Sequence, residues 1–193
     1  MRPEILFPLF TPVSTLKGVG PRVAPLVERL AGPLVRDVLF TAPQSVIRRV
    51  GATVDHAVDG QVQTFIVSIA AHQPPSRLGQ PWKIRAWDET GFLTLTWFKG
   101  HGPHLERQHP EGARRAVSGK VERFGSEIQV AHPEYLLPED RAGEIPAFEP
   151  VYPATAGLPS RTFRRFALEA LSRAPELPEW LDPAWQGRER LPA

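Results

Sequence analysis

Cations alternate with aromatic rings near the middle of the chain. Lys83, Arg85 and Trp87 occupy every second position of one segment, and Phe98 ends a second alternating segment that begins at Phe92. In an extended strand such residues share one face, because successive side chains point to opposite sides. Cations follow the phosphates of single-stranded nucleic acid, and exposed rings stack on its bases. The pattern predicts a nucleic-acid-binding face, although packing of Trp87 and Phe98 under a neighbouring segment would give the same alternation.

Two groups of residues next to this face complete the candidate interface. The first lies around the end of the Phe98 segment and comprises Trp97, Lys99, His101 and His104. The second lies around a later segment and comprises Arg114, Arg115, Lys120 and Arg123. Arginine forks suit phosphate and stack on bases. A solvated strand edge is the alternative interpretation of the second group.

A glycine-rich turn near the N-terminus predicts a separate phosphate contact. Lys17, Gly18 and Gly20 precede Pro21, and the stretch is similar to the hairpin of helix-hairpin-helix DNA-binding motifs. In that arrangement, backbone N–H groups at the start of a helix face phosphate. An ordinary glycine-rich entrance to a helix is the alternative.

Metal and thiol chemistry find little support in the sequence. There is no cysteine, which excludes disulfides, thiolate metal sites and cysteine nucleophiles. His101, His104 and His109 lie in one insertion, but no carboxylate pattern accompanies them, so we expect no zinc site. We predict surface or nucleic-acid contacts for this insertion instead.

An ATPase site is also absent from the sequence. Gly119 and Lys120 do not form a phosphate-binding P-loop, because Arg114 stands where that motif needs glycine and Val121 where it needs Ser or Thr. No Ser/His/Asp arrangement or carboxylate pair stands out. We therefore expect no catalytic residues and no cofactor in this chain.

The charge balance does not by itself identify a nucleic-acid-binding protein. The net charge is +2, made by 19 Arg and four Lys against 21 acidic residues. A GC-rich genome would also favour Arg, so only the distribution of charge is informative. No apolar segment approaches the ~18 residues of a membrane helix, and we expect a cytoplasmic protein with no membrane contact.

The strands and helices that the sequence predicts around these residues indicate an α+β protein. Period-two alternation indicates five strands, near residues 64–69, 82–87, 92–98, 117–122 and 128–130, with Thr94 and Thr96 outward beside Phe98. The longest insertion follows the third strand, as in a five-stranded OB-type β-barrel. The predicted segments are an N-terminal helical part (1–56), the barrel (57–135), a Pro-rich connector (136–159) and a helix with a linker (160–193).

Helices are predicted on both sides of the barrel. Residues Val23–Leu30 suggest a helix entered at Pro21, and Val35–Leu39 suggest a short second helix. Near the C-terminus, Ser160 is the expected N-cap of a third helix. Its predicted apolar stripe comprises Phe163, Phe166, Ala167, Ala170 and Leu171, with Arg161, Arg164, Arg165 and Arg173 on or beside its polar side.

Short motifs follow one another in order along most of the chain. They are Leu16–Pro21, Asp37–Phe40 with Pro43, Asp88–Gly91, Leu95–Phe98, Gly119–Val121, Gln129–Tyr135, Pro150–Leu158 and Leu177–Leu181. In this order they resemble the N-terminal region of RecG, the bacterial ATP-dependent branched-DNA helicase. The resemblance implies that the barrel is an OB-fold wedge domain, which splits DNA strands at a replication fork or Holliday junction.

The resemblance also implies residue roles and partners. It places a base-stacking ring at Phe98 with Trp97 beside it, whereas His101–His104 stands where the family can offer a second ring. It implies branched DNA as the partner, a monomer, and a function in DNA repair and recombination; contact with single-strand-binding protein is left open. ATP and Mg²⁺ would belong to a helicase motor beyond this chain. The alternative is an OB-type protein-interaction module without fork specificity.

Overall fold

The chain forms two compact units, whose boundaries differ from the predicted segments. The computed structural model describes residues 3–98, 102–177 and 181–190. The barrel unit comprises Val46–Glu149, and the helical unit combines Met1–Ser45 with Pro150–Ala193. The predicted N-terminal and C-terminal helical segments therefore belong to one unit, because their apolar residues share one core.

Strands occur mainly in the barrel unit. In chain order they are β1 (Ser45–Arg48), β2 (Val50–Gly51), β3 (Val62–Gln73), β4 (Trp82–Asp88), β5 (Gly91–Trp97), β6 (Arg114–Phe124), β7 (Glu127–Ala131), β8 (Tyr135–Pro138) and β9 (Phe148–Val151). The α-helices are α1 (Ala24–Leu30), α2 (Val35–Leu39), α3 (Gly102–Gln108), α4 (Ser160–Leu171) and α5 (Pro183–Glu189). Short 3-10 helices cover Glu4–Phe10, Val13–Thr15, Val54–His56 and Glu139–Glu144.

Five strands close into the predicted barrel. They pair in the order β3-β4-β5-β7-β6, and β6 pairs back onto β3. The β5–β7 pairing is parallel and the other four are antiparallel. Helix α3 lies in the insertion between β5 and β6. This connectivity confirms the OB-type fold.

Alternation along the strands builds the barrel core. Phe65, Val67 and Ile69 of β3 are buried, as are Ile84 of β4 and Leu95 of β5. Their neighbours in sequence point to the outside of the barrel, which fixes the face available to a ligand.

Strands outside the five-stranded barrel were not predicted. β2 adds to β3 in parallel, and β8 adds to β6 within the stretch expected to be a connector. β1 and β9 pair in a separate two-stranded sheet. These strands have two to four residues, which is too short for an alternation to be recognised in the sequence.

The helical unit has its own core and corrects three details of the prediction. Helix α1 begins at Ala24 rather than at Pro21, so Pro25 lies in its first turn, where proline is tolerated. Ser160 is the first residue of α4 instead of its N-cap, and its hydroxyl accepts a hydrogen bond from Tyr152 N–H. Leu171 is exposed at the end of the stripe. Helix α5, capped by Asp182, was not predicted.

Within residues 3–98, 102–177 and 181–190, no helix is long and apolar enough to cross a bilayer.

Candidate nucleic-acid interface

The β4–β5 hairpin presents two exposed rings and a cation on its outer face. Trp87 and Phe92 are direct cross-strand neighbours, with exposed fractions of 44% and 56%. The Arg85 guanidinium lies over the Phe92 ring, 4.3 Å from its centroid. The predicted outward position of Arg85 and Trp87 agrees with the structure, and the rings offer a flat apolar surface beside a positive charge.

Asp88 holds the tip of this hairpin in place. Its carboxylate accepts hydrogen bonds from the backbone N–H groups of Thr90 and Gly91. It also accepts one, at 2.8 Å, from the N–H of Val54, the first residue of the 3-10 helix Val54–His56. Burial raises the pKa of Asp88, but these bonds and one from the Thr90 hydroxyl outweigh it, so the pKa lies below its usual value. The ionised carboxylate thus fixes the turn that carries Trp87 and Phe92.

A cleft of about 520 Å³ adjoins this face. It opens between the end of β3, the β4–β5 hairpin and the β6–β7 turn, and Gln73, Arg85, Phe92, Thr94 and Glu127 contribute to its lining. OB-folds bind oligonucleotides on the face of their second and third barrel strands, flanked by loops. In this chain those strands are β4 and β5.

Lys83 and Thr96 occupy the less open part of the same face. The Lys83 amine is half-buried and lies 3.8 Å from the Glu127 carboxylate, which offsets its charge. Thr96 shares this face, as predicted, because it pairs with Lys83, but its side chain is fully buried. On its other side Thr96 pairs with Ala131 of β7.

Phe98 and Trp97 lie on opposite sides of the barrel wall. Phe98 follows the last residue of β5 and is 55% exposed, whereas Trp97 is 9% exposed and belongs to the barrel core. The inclusion of Trp97 among the nucleic-acid contacts is therefore wrong, because strand alternation turns its indole inward opposite Trp82. Phe98 alone of this pair can meet a base.

His132 contacts Phe98 from the segment that follows β7. The Phe98 backbone N–H donates to His132 Nε2 at 3.3 Å, and the two ring centroids are 5.6 Å apart. His132 was part of a recognised motif, but its contact with Phe98 was not predicted. No local signal could reveal it, since the two residues are brought together only by the parallel pairing of β5 with β7.

Arg114 and Arg115 are committed to contacts within the protein. Arg114 forms two hydrogen bonds with the Glu139 carboxylate, at 2.6 and 2.8 Å. Arg115 donates to His109 Nδ1 and to the carbonyl groups of Arg114 and Gln108. Arg115 thereby ties the end of α3 to β6. The roles of Arg114 and Arg115 in nucleic-acid binding stay predictions.

The other predicted cations remain accessible or lie outside the described residues. Lys120 and Arg123 are exposed on β6, and His104 is exposed on α3. Lys99 and His101 fall outside the described residues. The roles of Lys120, Arg123 and His104 in nucleic-acid binding stay predictions.

The glycine-rich turn of the helical unit lies at the surface. Lys17, Gly18 and Gly20 are all exposed, and Gly18 adopts a left-handed conformation with φ +88° that favours glycine. The N–H groups of Val23 and Ala24 both donate to the Gly20 carbonyl. The turn is therefore well formed, and its phosphate contact stays a prediction.

Comparisons with known proteins bear on this arrangement. No family model matches the chain. The ATP-dependent DNA helicase RecG of Acidithiobacillus ferridurans is 28% identical over 93% of the chain, and RecG of Pasteurella multocida is 26% identical over 83%. A solved structure of RecG bound to a three-way DNA junction superimposes on 95% of the chain with a TM-score of 0.78 and 20% identity. The chain is homologous to the N-terminal region of RecG.

The homology covers only part of each relative. The chain spans about a quarter of the length of the two RecG helicases, 27% and 24%, and 26% of the RecG chain in the junction complex. At 20% identity the structural likeness to RecG shows the shared fold. Function must be argued from the residues of the barrel.

Phe92 is the interface residue that sequence analysis left without a role. It opened the alternating segment that ends at Phe98, yet only Phe98 and Trp87 were assigned to bases. Its register opposite Trp87 and its contact with Arg85 follow from the two-residue hairpin at Glu89–Thr90, a signal already present in the sequence. The RecG-like barrel thus carries aromatic surfaces at both ends of β5.

Proposed function

We propose that the barrel unit is the strand-separating wedge of a RecG-like ATP-dependent DNA helicase, which binds replication forks and Holliday junctions in DNA repair and recombination. The observation that carries the proposal is the position of Phe98. An exposed ring stands at the end of β5 of an OB-type barrel, at the residue where the RecG resemblance expects the stacking ring, while the adjacent Trp97 is buried. A base pair at the branch point would stack on Phe98.

The free energies of stacking and unpairing suit a wedge that has no ATPase motor of its own. Base–aromatic stacking contributes ~1–3 kcal/mol per base, and unstacking and unpairing a base costs a few kcal/mol. One ring can therefore stabilise an already opened junction but cannot drive unwinding. Sustained unwinding would come from ATP hydrolysis, with ATP and Mg²⁺ bound by a motor outside this chain.

The outer face of β4–β5 is proposed to receive one separated strand. Arg85 supplies a positive charge for phosphate, and Trp87 and Phe92 supply stacking surfaces beside it. Phe92 and Phe98 are six residues apart on the same side of β5, so the two aromatic surfaces are separated by ~20 Å at ~3.3 Å per residue. A strand leaving Phe98 could reach the hairpin after ~6 stacked nucleotides at ~3.4 Å each.

Branch recognition is testable with Phe98→Ala in the 193-residue chain. We expect binding to a three-way junction to weaken about tenfold, because one stacked base is lost, while binding to plain duplex stays unchanged. Fluorescence anisotropy with labelled junction and duplex at one salt concentration would measure both, since phosphate contacts make affinity strongly salt-dependent.

Phe148→Ala provides the matched control, because Phe148 is a similarly exposed phenylalanine of the barrel unit outside the proposed interface. It should leave both affinities unchanged. Equal binding of junction and duplex by the unmodified chain would contradict the wedge. An equal loss on both substrates with Phe98→Ala would remove the stacking role.

A protein-interaction surface is the second candidate, favoured by one observation. Carboxylates of Asp55 and Glu127 line the cleft beside Phe92, and Glu127 already partners Lys83. These charges disfavour phosphate at that point. If the barrel acted this way, junction and duplex would bind equally and Trp87→Ala would change neither.

A further inference from the structure

We propose that His132 is a positioning residue that holds Phe98 in its outward, base-facing orientation. The proposal rests on the proposed wedge function, which needs an exposed and fixed ring. It assigns a role to the His132–Tyr135 part of a motif that the fold alone does not explain. All residues involved belong to the barrel unit.

The contact between His132 and Phe98 replaces a missing bond of the sheet. His132 N–H donates to Thr96 O at 2.8 Å, as the parallel pairing of Thr96 with Ala131 requires. In a regular parallel ladder, Phe98 N–H would next donate to the His132 carbonyl. It donates instead to His132 Nε2. The imidazole thus extends the pairing of β5 to Phe98 after the backbone has turned away.

The chemistry of this bond defines the state of the imidazole. A backbone N–H can only donate, so Nε2 of His132 accepts and the ring proton lies on Nδ1. The imidazole and the Phe98 ring are tilted by 39° at 5.6 Å between centroids, within the range of favourable ring pairs. Phe98 is therefore held at its main chain and at its ring by one residue.

His132 adopts a conformation that the chain does not adopt without support. Its φ is +45°, in the left-handed region where residues other than glycine are uncommon. Such backbone geometry is unfavourable in isolation and persists only where the surroundings impose it, often at functional sites. The conformation directs the side chain toward Phe98 while the backbone leaves the ladder.

The surroundings impose that conformation from two sides. On one side, a Cβ at Gly119 would lie 2.6 Å from Val130 Cγ1 and 3.3 Å from Pro133 Cα, so the turn packs directly on glycine backbone. On the other side, the carboxylate of Glu134 is ion-paired with Arg49, which is buried. The turn between β7 and β8 is therefore a rigid support for His132.

Arg49 is itself anchored by further partners. Its guanidinium lies 2.9 Å from Glu149 and 5.0 Å from the centroid of the Tyr135 ring. The Tyr135 hydroxyl is hydrogen-bonded to Glu149 at 3.1 Å. Charge-assisted bonds of this kind are strong and directional. The His-Pro-Glu-Tyr stretch thus connects a buried ion cluster to the exposed ring of Phe98.

The test uses His132→Asn and a direct reporter on the ring. Asparagine tolerates the left-handed backbone, but its shorter side chain supplies neither the ring nor an acceptor at the same reach. A 4-fluorophenylalanine at position 98 of the full chain reports the ring's environment through its ¹⁹F resonance. We expect the resonance to shift and broaden, three-way-junction affinity to fall about three- to tenfold, and duplex affinity and Tm to stay unchanged.

Two further variants separate a positioning role from a structural one. His132→Gln restores an acceptor at similar reach and should recover part of the junction affinity; this comparison also decides the matter if His132→Asn lowers Tm. In the double variant Phe98→Ala/His132→Asn, the second change should have almost no further effect on junction binding, because His132 acts through Phe98. Additive losses would overturn the proposal.

The outcomes distinguish this proposal from the wedge function. An unchanged ¹⁹F resonance in His132→Asn would overturn the positioning role even if Phe98→Ala weakens junction binding. A shifted resonance in a chain that binds junction and duplex equally would overturn the wedge function, while His132 would still be shown to hold the ring.

Discussion

Phe98 and Trp97 show that a shift of one residue along the chain decides whether an aromatic ring is buried or exposed. The two residues are adjacent, yet alternation places Trp97 in the barrel core and Phe98 in solvent. The same rule places Arg85 and Trp87 outside and Ile84 and Ala86 inside. Orientation could therefore be derived from the sequence. The partner of each side chain could not, since His132 and Glu139 reach Phe98 and Arg114 through long-range pairing.

His109 gives the barrel unit a pH-dependent stability. Burial lowers its pKa to about 4, with further lowering by the charge of Arg115 and by His72 and His104. The neutral ring accepts a hydrogen bond from Arg115 at 3.1 Å. Because the unfolded histidine titrates near 6.5, the unfolded state binds the proton first as pH falls. The contribution is complete above pH ~6.5 and is lost progressively toward pH ~4.

Urea unfolding between pH 7 and pH 4 would measure this effect. We expect the free energy of unfolding to fall by roughly 2–4 kcal/mol more in the unmodified chain than in His109→Gln over this window. Glutamine keeps an acceptor for Arg115 without titrating, so carboxylate titrations cancel in the comparison. Parallel pH profiles for the two proteins would show that His109 does not titrate differently on folding.

At the scale of the element, α3 depends on a glycine that touches the barrel wall. A Cβ at Gly102 would lie 2.2 Å from two ring carbons of Trp82. Trp82 cannot easily move, because its indole N–H donates to His72 Nδ1 at 3.3 Å and His72 in turn is hydrogen-bonded to the His109 carbonyl. The start of α3 is thus seated on the indole and its hydrogen-bonded neighbours.

Gly102→Ala is expected to lower the free energy of unfolding by ~1–3 kcal/mol, the usual cost of overpacking. Gly102 is the first residue of α3, so alanine gains less here than the ~1 kcal/mol that it gains over glycine in a helix interior. Gly143→Ala is the control, since a Cβ there meets nothing within 4 Å. Chemical denaturation of both variants would measure the difference, and equal stability would show that Trp82 yields without cost.

The elements also show where sequence patterns stop being informative. The five barrel strands and α2 were predicted because each has a clear period of its own. The short strands β1, β2, β8 and β9 exist only through their pairing partners, so no local pattern marks them. Ser160 was assigned as a cap from its residue type, but its hydroxyl accepts a hydrogen bond from Tyr152 N–H, eight residues earlier. Predicted boundaries were wrong where tertiary contacts determine the ends of an element.

At the scale of the whole molecule, several arginines are balanced locally by carboxylates. Arginine side chains are paired with carboxylates at Arg36–Asp37, Arg49–Glu149, Arg114–Glu139, Arg141–Glu144 and Arg173–Glu169. The abundance of arginine therefore does not by itself create a positive surface. In the proposed function, attraction for DNA would come from a few local groups, such as Arg85 beside its rings and the exposed Lys120 and Arg123.

Because the barrel unit is one continuous segment with its own closed core, we expect Val46–Glu149 to fold alone in a single cooperative transition. It retains Phe98, His132 and the β4–β5 hairpin, so it should still prefer a three-way junction to duplex. Its affinity for both DNAs should fall together, because the predicted phosphate contact at Lys17, Gly18 and Gly20 is removed and that contact carries no branch preference. Thermal unfolding and junction-versus-duplex anisotropy would check this, with the full-length Lys17→Ala variant as the matched control for the uniform loss. A folded barrel without any junction preference would place branch recognition in the helical unit instead.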